Sequence, residues 1–386
     1  MKTSASEVKE PVRCSRCIMD ETVGGIRFDK DGVCNYCHMH DSMDKLFPIG
    51  KAGEKILKDI AVSIRKSGKG KPYDCVVGFS GGRDTSYCLH YAKEVLGLKP
   101  LAVHFDNGWT SEKARSNMEN ICAKLGVDLH IVTMDWDDSR ELTNANIRAC
   151  VPYVDLTNDI GIAYTLYSTA AKNDIKYILL SHSFREEGVA PLLWNYMDAR
   201  YTRAIIKRFV KTKINHFKNA DIHHFLYWLF IKRIKVVNVT NYYNDMGRQI
   251  EKTLIERYGW QEPDGHHMDN ELFILIYNYA WRKFGIDWRV VDVAAQVRTG
   301  ILTREEGLAI MASPPYFDNE EFVSQSLEKQ QMSREEFEAI IAAPNKYFLD
   351  YPNYYSWVKL FKWPFKLLCR MHILPIHAYE KYFEAI

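Results

Sequence analysis

The chain has 386 residues, of which 47% are hydrophobic and 13% aromatic, and its formal net charge is +2. This composition predicts a folded globular protein of two or three domains and argues against a chain that binds nucleic acid over its whole surface. The chain begins without a signal peptide, its longest aromatic-apolar run (residues 225–231) is too short to span a bilayer, and its nine cysteines favour reduced thiols that bind metal. We therefore expect a cytoplasmic protein with no transmembrane segment.

Two C-x-x-C pairs, separated by sixteen residues, stand near the N-terminus: Cys14 with Cys17, and Cys34 with Cys37. This spacing predicts a four-cysteine zinc ribbon in residues 1–44, in which each pair gives two thiolates to one tetrahedral ion. Four thiolates fill the coordination shell, so a structural role is favoured over a catalytic one. An iron–sulfur cluster is the alternative. We expect a strand at residues 26–28 between the pairs.

Residues 45–70 have the pattern of an amphipathic helix that ends in a flexible joint. A short apolar run, Val76–Phe79, predicts a buried strand, which breaks at Ser80-Gly81-Gly82 before a helical pattern restarts near Thr85. Two adjacent glycines between a strand and a helix let backbone N–H groups close around an anion, and the helix N-terminus adds partial positive charge. The sequence therefore predicts a phosphate site, with an ordinary Gly-Gly turn as the alternative.

The side chains of this loop fit the same interpretation. Ser80, Thr85 and Ser86 supply hydroxyl donors, and Asp84 is placed to hold a magnesium ion that bridges phosphates. The loop has no Walker A lysine, which excludes that class of ATPase. The string S-G-G-x-D-[ST]-[ST] resembles the PP-loop of the ATP pyrophosphatases, which split ATP into AMP and pyrophosphate.

Beyond the loop, four more apolar strands alternate with helical segments, at residues 101–105, 129–132, 177–180 and 236–239. The alternation predicts an α/β fold whose parallel sheet has helices on both faces, and we assign this domain to residues 45–260. Ligands of such sheets bind at the carboxyl ends of the strands. Functional residues are therefore expected after Phe79, Phe105 and Leu180.

The residues after these strands are candidates for binding. Asp106 is suited to a ribose hydroxyl, an amide or a second metal, or else caps a helix. The loop 182–188 places a cation beside two carboxylates, which can orient phosphate and hold magnesium, or can form a solvated ion-pair cluster. The bulky segment 191–200 is expected to pack over the site. The predicted nucleotide-binding residues are Gly78, Phe79, Ser80, Gly81, Gly82, Asp84, Thr85, Ser86, Asp106, Ser181 and His182.

Residues 200–235 carry ten lysines and arginines and one acid, interleaved with aromatics. Such a stretch fits a diphosphate, a nucleic-acid backbone or a membrane surface, or is simply the solvated face of helices. The pattern of residues 261–386 predicts a helical region that binds the substrate or a partner. The basic, aromatic tail 357–382 is expected to close over the domain or to contact a partner. The segment 264–270 contains two histidines beside an acid, which suits either substrate contact or a helix cap.

Taken together, the ribbon and five strings resemble the N-acetyl sugar amidotransferase family, whose members are PP-loop (adenine nucleotide alpha hydrolase-like) enzymes of bacterial surface-polysaccharide synthesis. The strings are SGGRDTS (80–86), SHSFREEG (181–188), WNYMDARY (194–201), GWQEPDGHHMDNELF (259–273) and FGIDWR (284–289). The resemblance implies that ATP activates an acetamido group of a nucleotide-linked sugar, such as a UDP-2,3-diacetamido uronic acid, as an O-adenylyl imidate. Ammonia then gives an acetamidino group, for O-antigen or other lipopolysaccharide synthesis.

The resemblance also implies roles for individual residues. Magnesium is expected on Asp84 and Glu187, with Arg185 stabilising charge and His267 as a further catalytic candidate. The expected substrate contacts are Arg185, Trp194, Tyr196, Arg200, His266, His267 and Asp269.

The source of ammonia is expected to be a second protein. Lys2 stands where an N-terminal-nucleophile glutaminase needs a cysteine, and the sequence has no G-x-C-x-G elbow. The resemblance implies a separate glutaminase and a barrel-type subunit that channels ammonia. The alternatives are a tRNA-modifying PP-loop enzyme, such as a thiolase that adenylates a base carbonyl, and a degenerate scaffold that binds a partner.

Overall fold

A computed structural model describes residues 11–243, 248–263 and 270–370, together with residues 379, 382 and 383. At its centre is a parallel sheet with the strand order β3-β2-β1-β4-β5. The strands are β1 (Cys75–Gly78), β2 (Pro100–Asp106), β3 (Leu129–Thr133), β4 (Tyr177–Leu180) and β5 (Lys235–Asn238). Val76 and Val77 on the central strand are fully buried, one facing each layer of helices, which explains why this strand is an unbroken apolar run.

The described α-helices of the N-terminal half are α1 (Asn35–Leu46), α2 (Gly50–Ser67), α3 (Arg83–His90), α4 (Glu112–Leu125), α5 (Trp136–Arg148), α6 (Leu156–Lys172), α7 (Ala199–Phe209) and α8 (Ile222–Leu226). Those that follow are α9 (Arg248–Tyr258), α10 (Leu272–Phe284), α11 (Arg289–Thr299), α12 (Arg304–Ala312), α13 (Glu320–Lys329), α14 (Arg334–Ala342), α15 (Tyr355–Leu360) and α16 (Lys362–Arg370). Short π-helical segments, Tyr91–Val95 and Tyr227–Ile231, continue α3 and α8. In the part of the chain described, no helix is long and apolar enough to cross a membrane.

The predicted α/β fold with its helical C-terminal region is confirmed, and each of the five strands predicted for the sheet is found with its ends shifted by at most one residue. The single helix predicted at 45–70 is wrong. Two helices, α1 and α2, meet at Phe47-Pro48-Ile49, because the residue before a proline is driven out of the helical conformation. Instead of a strand at 26–28, the ribbon has two isolated antiparallel bridges, Arg13 with Asp20 and Phe28 with Cys34. The domain boundaries at 44 and 260 stay predictions.

The packing of the helices positions the site. One hydrophobic cluster joins α2, α3, α4 and α9 to one face of the sheet, and a second joins α6 and α7 to the other. The chain crosses from one side of the sheet to the other between the neighbouring strands β1 and β4, so the loops after these strands diverge and leave a crevice. A third cluster packs the ribbon against α11, and a fourth unites α10, α13 and α14.

Candidate active site and metal centre

A cleft of about 430 Å³ opens at the carboxyl ends of β1 and β4. Its walls come from the loop after β1, from α6 and from the segment that follows α9. This is where the topology of a doubly wound sheet predicts a ligand. The loop Ser80–Ser86 forms one wall, as the sequence predicts.

The loop is shaped to present backbone N–H groups. Gly81 has φ +80°, and a Cβ added there would lie 2.2 Å from the carbonyl oxygen of Ala114, so only glycine fits. Thr85 Oγ1 accepts a hydrogen bond from the Ser80 backbone N–H (3.2 Å) and lies 3.1 Å from Ser80 Oγ. Gly82 is the N-cap of α3, whose positive end therefore faces the cleft. Such a loop can hold a phosphate group without a lysine.

Two side chains from other elements fix the loop from behind. Asn117 Nδ2 on α4 donates to the Gly81 carbonyl oxygen at 3.1 Å, and the Trp260 indole N–H donates to the same oxygen at 3.0 Å. Both side chains are buried. The two hydrogen bonds hold the Gly81 peptide in one orientation. Sequence reasoning missed both contacts, because Asn117 lies in no recognised motif and Trp260, although it lies in the string 259–273, was given no role there.

Eight of the eleven residues predicted to bind nucleotide line this cleft: Gly78, Phe79, Ser80, Gly82, Asp84, Thr85, Ser181 and His182. Gly81, Ser86 and Asp106 do not line it. The Ser86 side chain is fully buried, and its hydroxyl has no hydrogen-bond partner within the described residues. Asp106 instead accepts hydrogen bonds from the Gly108 N–H (2.9 Å) and from Arg115 (2.8 Å). Burial raises the pKa of Asp106, but these donors outweigh burial and lower it, so this carboxylate organises its own loop.

The predicted magnesium ligands, Asp84 and Glu187, both face the cleft. Asp84 Oδ1 accepts from Arg83 Nε at 2.7 Å, while Glu187 accepts from the Ser183 N–H at 3.1 Å and lies 2.6 Å from His182 Nδ1. Carboxylate and hydroxyl oxygens are the ligands that magnesium prefers, so the donor set fits this ion. Their role as ligands stays a prediction.

An arginine inside the motif was missed by sequence reasoning. Arg83, the variable position of the string, pairs with Asp84 and Glu186, and its guanidinium lies 3.7 Å from Glu251 on α9. Burial raises the pKa of Glu186 to about 7, more than the neighbouring Arg83 lowers it. Arg83 therefore supplies a cationic side chain to the phosphate wall, and its partner Glu186 can exchange a proton near neutral pH.

The opposite wall is acidic. Asp155, Asn158 and Asp159, at the start of α6, line the cleft across from the phosphate loop. Asn158 Nδ2 donates to Asp155 at 3.1 Å, and Tyr153 donates its hydroxyl to Asp159. Burial and the neighbouring Asp159 raise the pKa of Asp155 well above its ordinary value. The cleft thus combines a site for anions with carboxyl groups that can take up a proton.

The structure contradicts the predicted phosphate contact of Arg185. This guanidinium is 2% exposed and points away from the cleft, donating to the carbonyl oxygens of Asn241 (2.8 Å) and Phe47 (2.7 Å) and pairing with Asp44. It also lies 4.4 Å from the centre of the Phe184 ring. These partners satisfy the side chain, so Arg185 joins the loop after β4 to the end of α1.

The segment 191–200 packs inward instead of over the cleft, which corrects three predicted substrate contacts. Trp194 is buried in the ribbon cluster, with its ring centre 5.9 Å from that of Trp288. Tyr196 stacks on Phe348 at 4.0 Å, and Arg200 lies over the ring of Tyr354. Burial of large aromatic rings is the physical reason for this placement. The remaining candidates His266, His267 and Asp269 lie outside the described residues.

The four N-terminal cysteines form a separate buried site. Their sulfur atoms all lie within 4.8 Å of one another, with Cys14–Cys37 at 3.8 Å, Cys17–Cys34 at 3.7 Å and Cys34–Cys37 at 3.6 Å. The backbone N–H groups of Cys17 and Cys34 donate to Cys14 Sγ. This convergence of four thiols bears out the predicted four-cysteine cluster and indicates metal binding.

A cation from the C-terminal region reaches this cluster. The side chain of Arg298, on α11, donates to Cys17 Sγ at 3.5 Å and lies 3.0 Å from Met19 Sδ. Arg304 donates to the carbonyl oxygens of Cys14 and Cys17. Four thiolates around a divalent ion carry a net charge of −2, which a buried guanidinium offsets. The ribbon and α11 are thereby joined through the metal site.

Two family profiles match separate parts of the chain. The profile described as queuosine biosynthesis protein QueC, a PP-loop ATP pyrophosphatase, matches residues 74–159, which include the phosphate loop and the acidic wall. The profile described as LPS biosynthesis protein WbpG-like, C-terminal domain, matches residues 253–363. Among curated proteins, an uncharacterized protein of Methanocaldococcus jannaschii is 23% identical over 310 residues, covering 78% of this chain and 94% of the relative.

Two solved structures are also similar. An NH3-dependent NAD synthetase from Campylobacter jejuni is 13% identical with a TM-score of 0.31, covering 76% of this chain and 98% of its own. The U34-tRNA thiolase NcsA from Methanococcus maripaludis, which holds a [4Fe-4S] cluster, is 11% identical with a TM-score of 0.28, covering 86% of each chain. At these values neither likeness carries an inference about this chain. The chain thus contains a region at residues 74–159 that is similar to a PP-loop ATP pyrophosphatase profile, in agreement with its Ser80–Ser86 loop and parallel sheet, and a WbpG-like C-terminal region at residues 253–363.

Proposed function

We propose that this protein is the synthetase subunit of an amidotransferase that converts an acetamido group of a nucleotide-linked sugar into an acetamidino group, with ATP cleaved to AMP and pyrophosphate. One observation carries the proposal. The region that matches the WbpG-like domain contributes Trp260, Glu262, Pro263, Asn270 and Phe273 to the same cleft that the phosphate loop lines. The region that matches a profile named for LPS biosynthesis thus forms one wall of the proposed ATP site.

The chemistry follows from the poor leaving ability of an amide oxygen. The acetamido oxygen attacks the α-phosphorus of ATP, the bond to pyrophosphate breaks, and loss of the amide proton gives an O-adenylyl imidate. Ammonia then adds to the imidate carbon, gives up one proton, and displaces AMP to leave the amidine. The departing pyrophosphate and AMP are anions, which the backbone N–H groups of Ser80–Ser86 and the Arg83 guanidinium are placed to stabilise.

The acidic wall suits the second substrate. Ammonia in neutral water is mostly ammonium, which must lose a proton before it can attack carbon. Asp155 is held in the cleft with a pKa well above its ordinary value, because it is buried beside Asp159. We assign it, with Asp159, to accepting that proton.

Magnesium is the proposed companion of ATP, held by Asp84 and Glu187. The ion supplies positive charge to the phosphate oxygens. His182 and the Ser183 N–H hold Glu187 in place for this role.

Zinc is the proposed ion of the ribbon. A tetrahedral ion with Zn–S bonds of about 2.3 Å places its sulfurs roughly 3.8 Å apart, which agrees with the spacings of 3.6–3.8 Å in this site. An iron–sulfur cluster binds its cysteines through separate irons and spreads the sulfurs farther apart. Metal analysis of the purified protein would decide between them.

We further propose that a separate glutaminase supplies ammonia through a barrel-type channelling subunit. The reaction is proposed to occur in the cytoplasm, where ATP and nucleotide sugars are available, and without a nucleic-acid partner. A tRNA-modifying enzyme of the thiolase kind is the competing function. Its thiol chemistry needs cysteines near ATP, whereas Cys75 and Cys88 are fully buried in the core, and burial raises the pKa of both thiols.

The test supplies purified protein with ATP, magnesium, ammonium chloride and candidate UDP-acetamido sugars. We expect AMP and pyrophosphate that depend on the sugar, and a product lighter by about one mass unit, because NH replaces O. Asp84→Asn should abolish AMP formation, while Asp59→Asn, on the exposed side of α2, should leave it unchanged. AMP formation that depends on tRNA and not on a sugar would instead establish the thiolase-like function.

A further inference from the structure

Two exposed apolar segments lie outside the cleft and have no part in the proposed reaction. The first is α8 with its π-helical continuation, where Ile222, Leu226, Tyr227, Phe230 and Ile231 are exposed. These residues recur every three or four positions, so they form one stripe, while Phe225 and Trp228 of the same helix pack into the core. The helix is therefore apolar on its buried face as well, and its exposed apolar stripe is turned outward.

The second segment is the helix pair α15 and α16. Its exposed side chains are Trp357, Leu360, Phe361, Trp363 and Leu367, and Leu360 and Trp363 are 82% and 81% exposed. Scattered exposed leucines are ordinary on protein surfaces, but a run of this kind within eleven residues marks an interaction site.

A hydrogen-bonded junction brings the starts of the two segments together. Asp221, the N-cap of α8, pairs with Arg203, and Arg203 donates to the hydroxyl of Tyr354 at 3.2 Å. Tyr354 is in turn the N-cap of α15. The two segments therefore form one region, residues 222–235 and 355–370, which we call the basic-aromatic surface.

The charge of this surface has a single sign. Neither stretch contains an aspartate or a glutamate, and the cations are Lys232, Arg233, Lys235, Lys359, Lys362, Lys366 and Arg370. The Lys359 ammonium lies 4.6 Å from the centre of the Tyr355 ring, and that of Lys366 lies 5.1 Å from the Tyr379 ring. The side chains of these two lysines therefore pack along aromatic rings, and their ammonium groups lie at the edge of the apolar patch.

We propose that the basic-aromatic surface binds an anionic lipid bilayer, with α8, α15 and α16 lying in the plane of the interface. Leucine and isoleucine side chains fit acyl chains, tryptophan prefers the headgroup boundary, and the flanking cations attract acidic headgroups. The aliphatic members, among them Leu360, Leu367 and Ile231, offer nothing to stacked bases, so the surface fits lipid better than nucleic acid. Membrane association would hold the enzyme where membrane-bound glycan is assembled.

The experiment mixes the full-length protein with vesicles of phosphatidylcholine alone or with added phosphatidylglycerol and separates bound protein by flotation. We expect at least tenfold tighter binding to the anionic vesicles, weakened by salt, with a blue shift of tryptophan fluorescence. The double variant Leu360→Glu with Trp363→Glu should bind at least tenfold more weakly. Its control, Val62→Glu with Ile255→Glu, changes two exposed apolar residues on α2 and α9, outside this surface, and should bind like the parent.

Three outcomes would overturn the proposal. One is no flotation with anionic vesicles; another is the same loss of binding in the control variant. The third is a change of oligomeric state, or of tRNA binding, in Leu360→Glu with Trp363→Glu while flotation is unaffected, which would assign the surface to a protein or a nucleic acid. Both double variants should have the circular-dichroism spectrum of the parent. Because flotation does not measure ATP cleavage, this result does not depend on the proposed function.

Discussion

Replacing Arg185 with methionine separates a structural role from a catalytic one. The guanidinium is buried outside the cleft, bonded to the carbonyl oxygens of Asn241 and Phe47 and to Asp44. Methionine fills a similar volume but donates no hydrogen bond. The substitution therefore leaves two carbonyl oxygens without their donor while leaving the phosphate loop intact.

The expected loss of stability follows from these contacts. An unsatisfied buried polar group costs about 1–3 kcal/mol, and the lost contact with the Phe184 ring adds about 1 kcal/mol. The Asp44 side chain is half exposed, so the loss of its ion pair with Arg185 adds little to the loss of stability. With two such carbonyl oxygens the sum is on the order of 3–7 kcal/mol, or a fall in Tm on the order of 4–9 °C for a chain of 386 residues.

The assay is thermal unfolding of the parent, Arg185→Met, Arg185→Lys and the surface control Arg257→Met, with AMP formation measured well below the lowest Tm. Lysine keeps the charge but cannot reach all the acceptors, so an intermediate Tm is expected. Arg257 forms an exposed ion pair with Glu94, and its substitution should change stability by less than about 1 kcal/mol. A large loss of kcat with an unchanged Tm would refute this reasoning and restore Arg185 to the active site.

Two further predictions concern groups that the sequence did not single out. Burial raises the pKa of Glu186 in the folded protein to about 7, from an ordinary 4.5. The folded chain therefore keeps this proton to higher pH than the unfolded chain. The resulting stabilisation of the folded state is complete below pH 4.5 and is lost as the pH rises through 7. The unfolding free energy of Glu186→Gln relative to the parent should therefore rise by on the order of 3 kcal/mol between about pH 4.5 and about pH 8; parallel pH curves would contradict this. Arg298→Met should weaken metal binding about 10- to 100-fold in chelator competition. Arg16→Met, which removes a partly exposed pair with Asp41 and a weaker charge effect on Cys37, should weaken it less; equal affinities of Arg298→Met and the parent would exclude a role for Arg298 at the metal.

The parts of the fold that could be predicted from the sequence are those that depend on local patterns of residues. Apolar runs between turn signals locate all five strands, and the spacing of the cysteines predicts their convergence. The Ser80–Ser86 loop is likewise recognisable because its glycines, hydroxyls and acid are consecutive. Four of its residues, Ser80, Gly82, Asp84 and Thr85, line the cleft as predicted.

The errors concern side chains whose partners are distant in sequence. The loop after β4 places Arg185 and Glu186 side by side, yet one side chain faces α1 and the other faces Arg83, at sequence separations of 141 and 103 residues. A charged residue next to a strand end has the same sequence signature whether it turns toward the ligand or toward a neighbouring helix. Here Phe184 of that loop packs against Phe47 at the end of α1, so the Arg185 side chain turns toward the helix and not toward the ligand.

The phosphate loop and the walls that face it have different tasks, which explains how one loop can serve different reactions. In the proposed reaction, residues 80–86 and their helix N-terminus act on the phosphates of ATP, whatever group receives the AMP. The acceptor must be chosen by the opposite walls, and one of these comes from the WbpG-like region through Trp260, Glu262 and Phe273. Trp260 also donates to the Gly81 carbonyl oxygen, so the region that would select the sugar is bonded to the loop that would cleave ATP. Binding of the correct sugar against this wall can therefore affect the phosphate loop directly, through a single hydrogen bond.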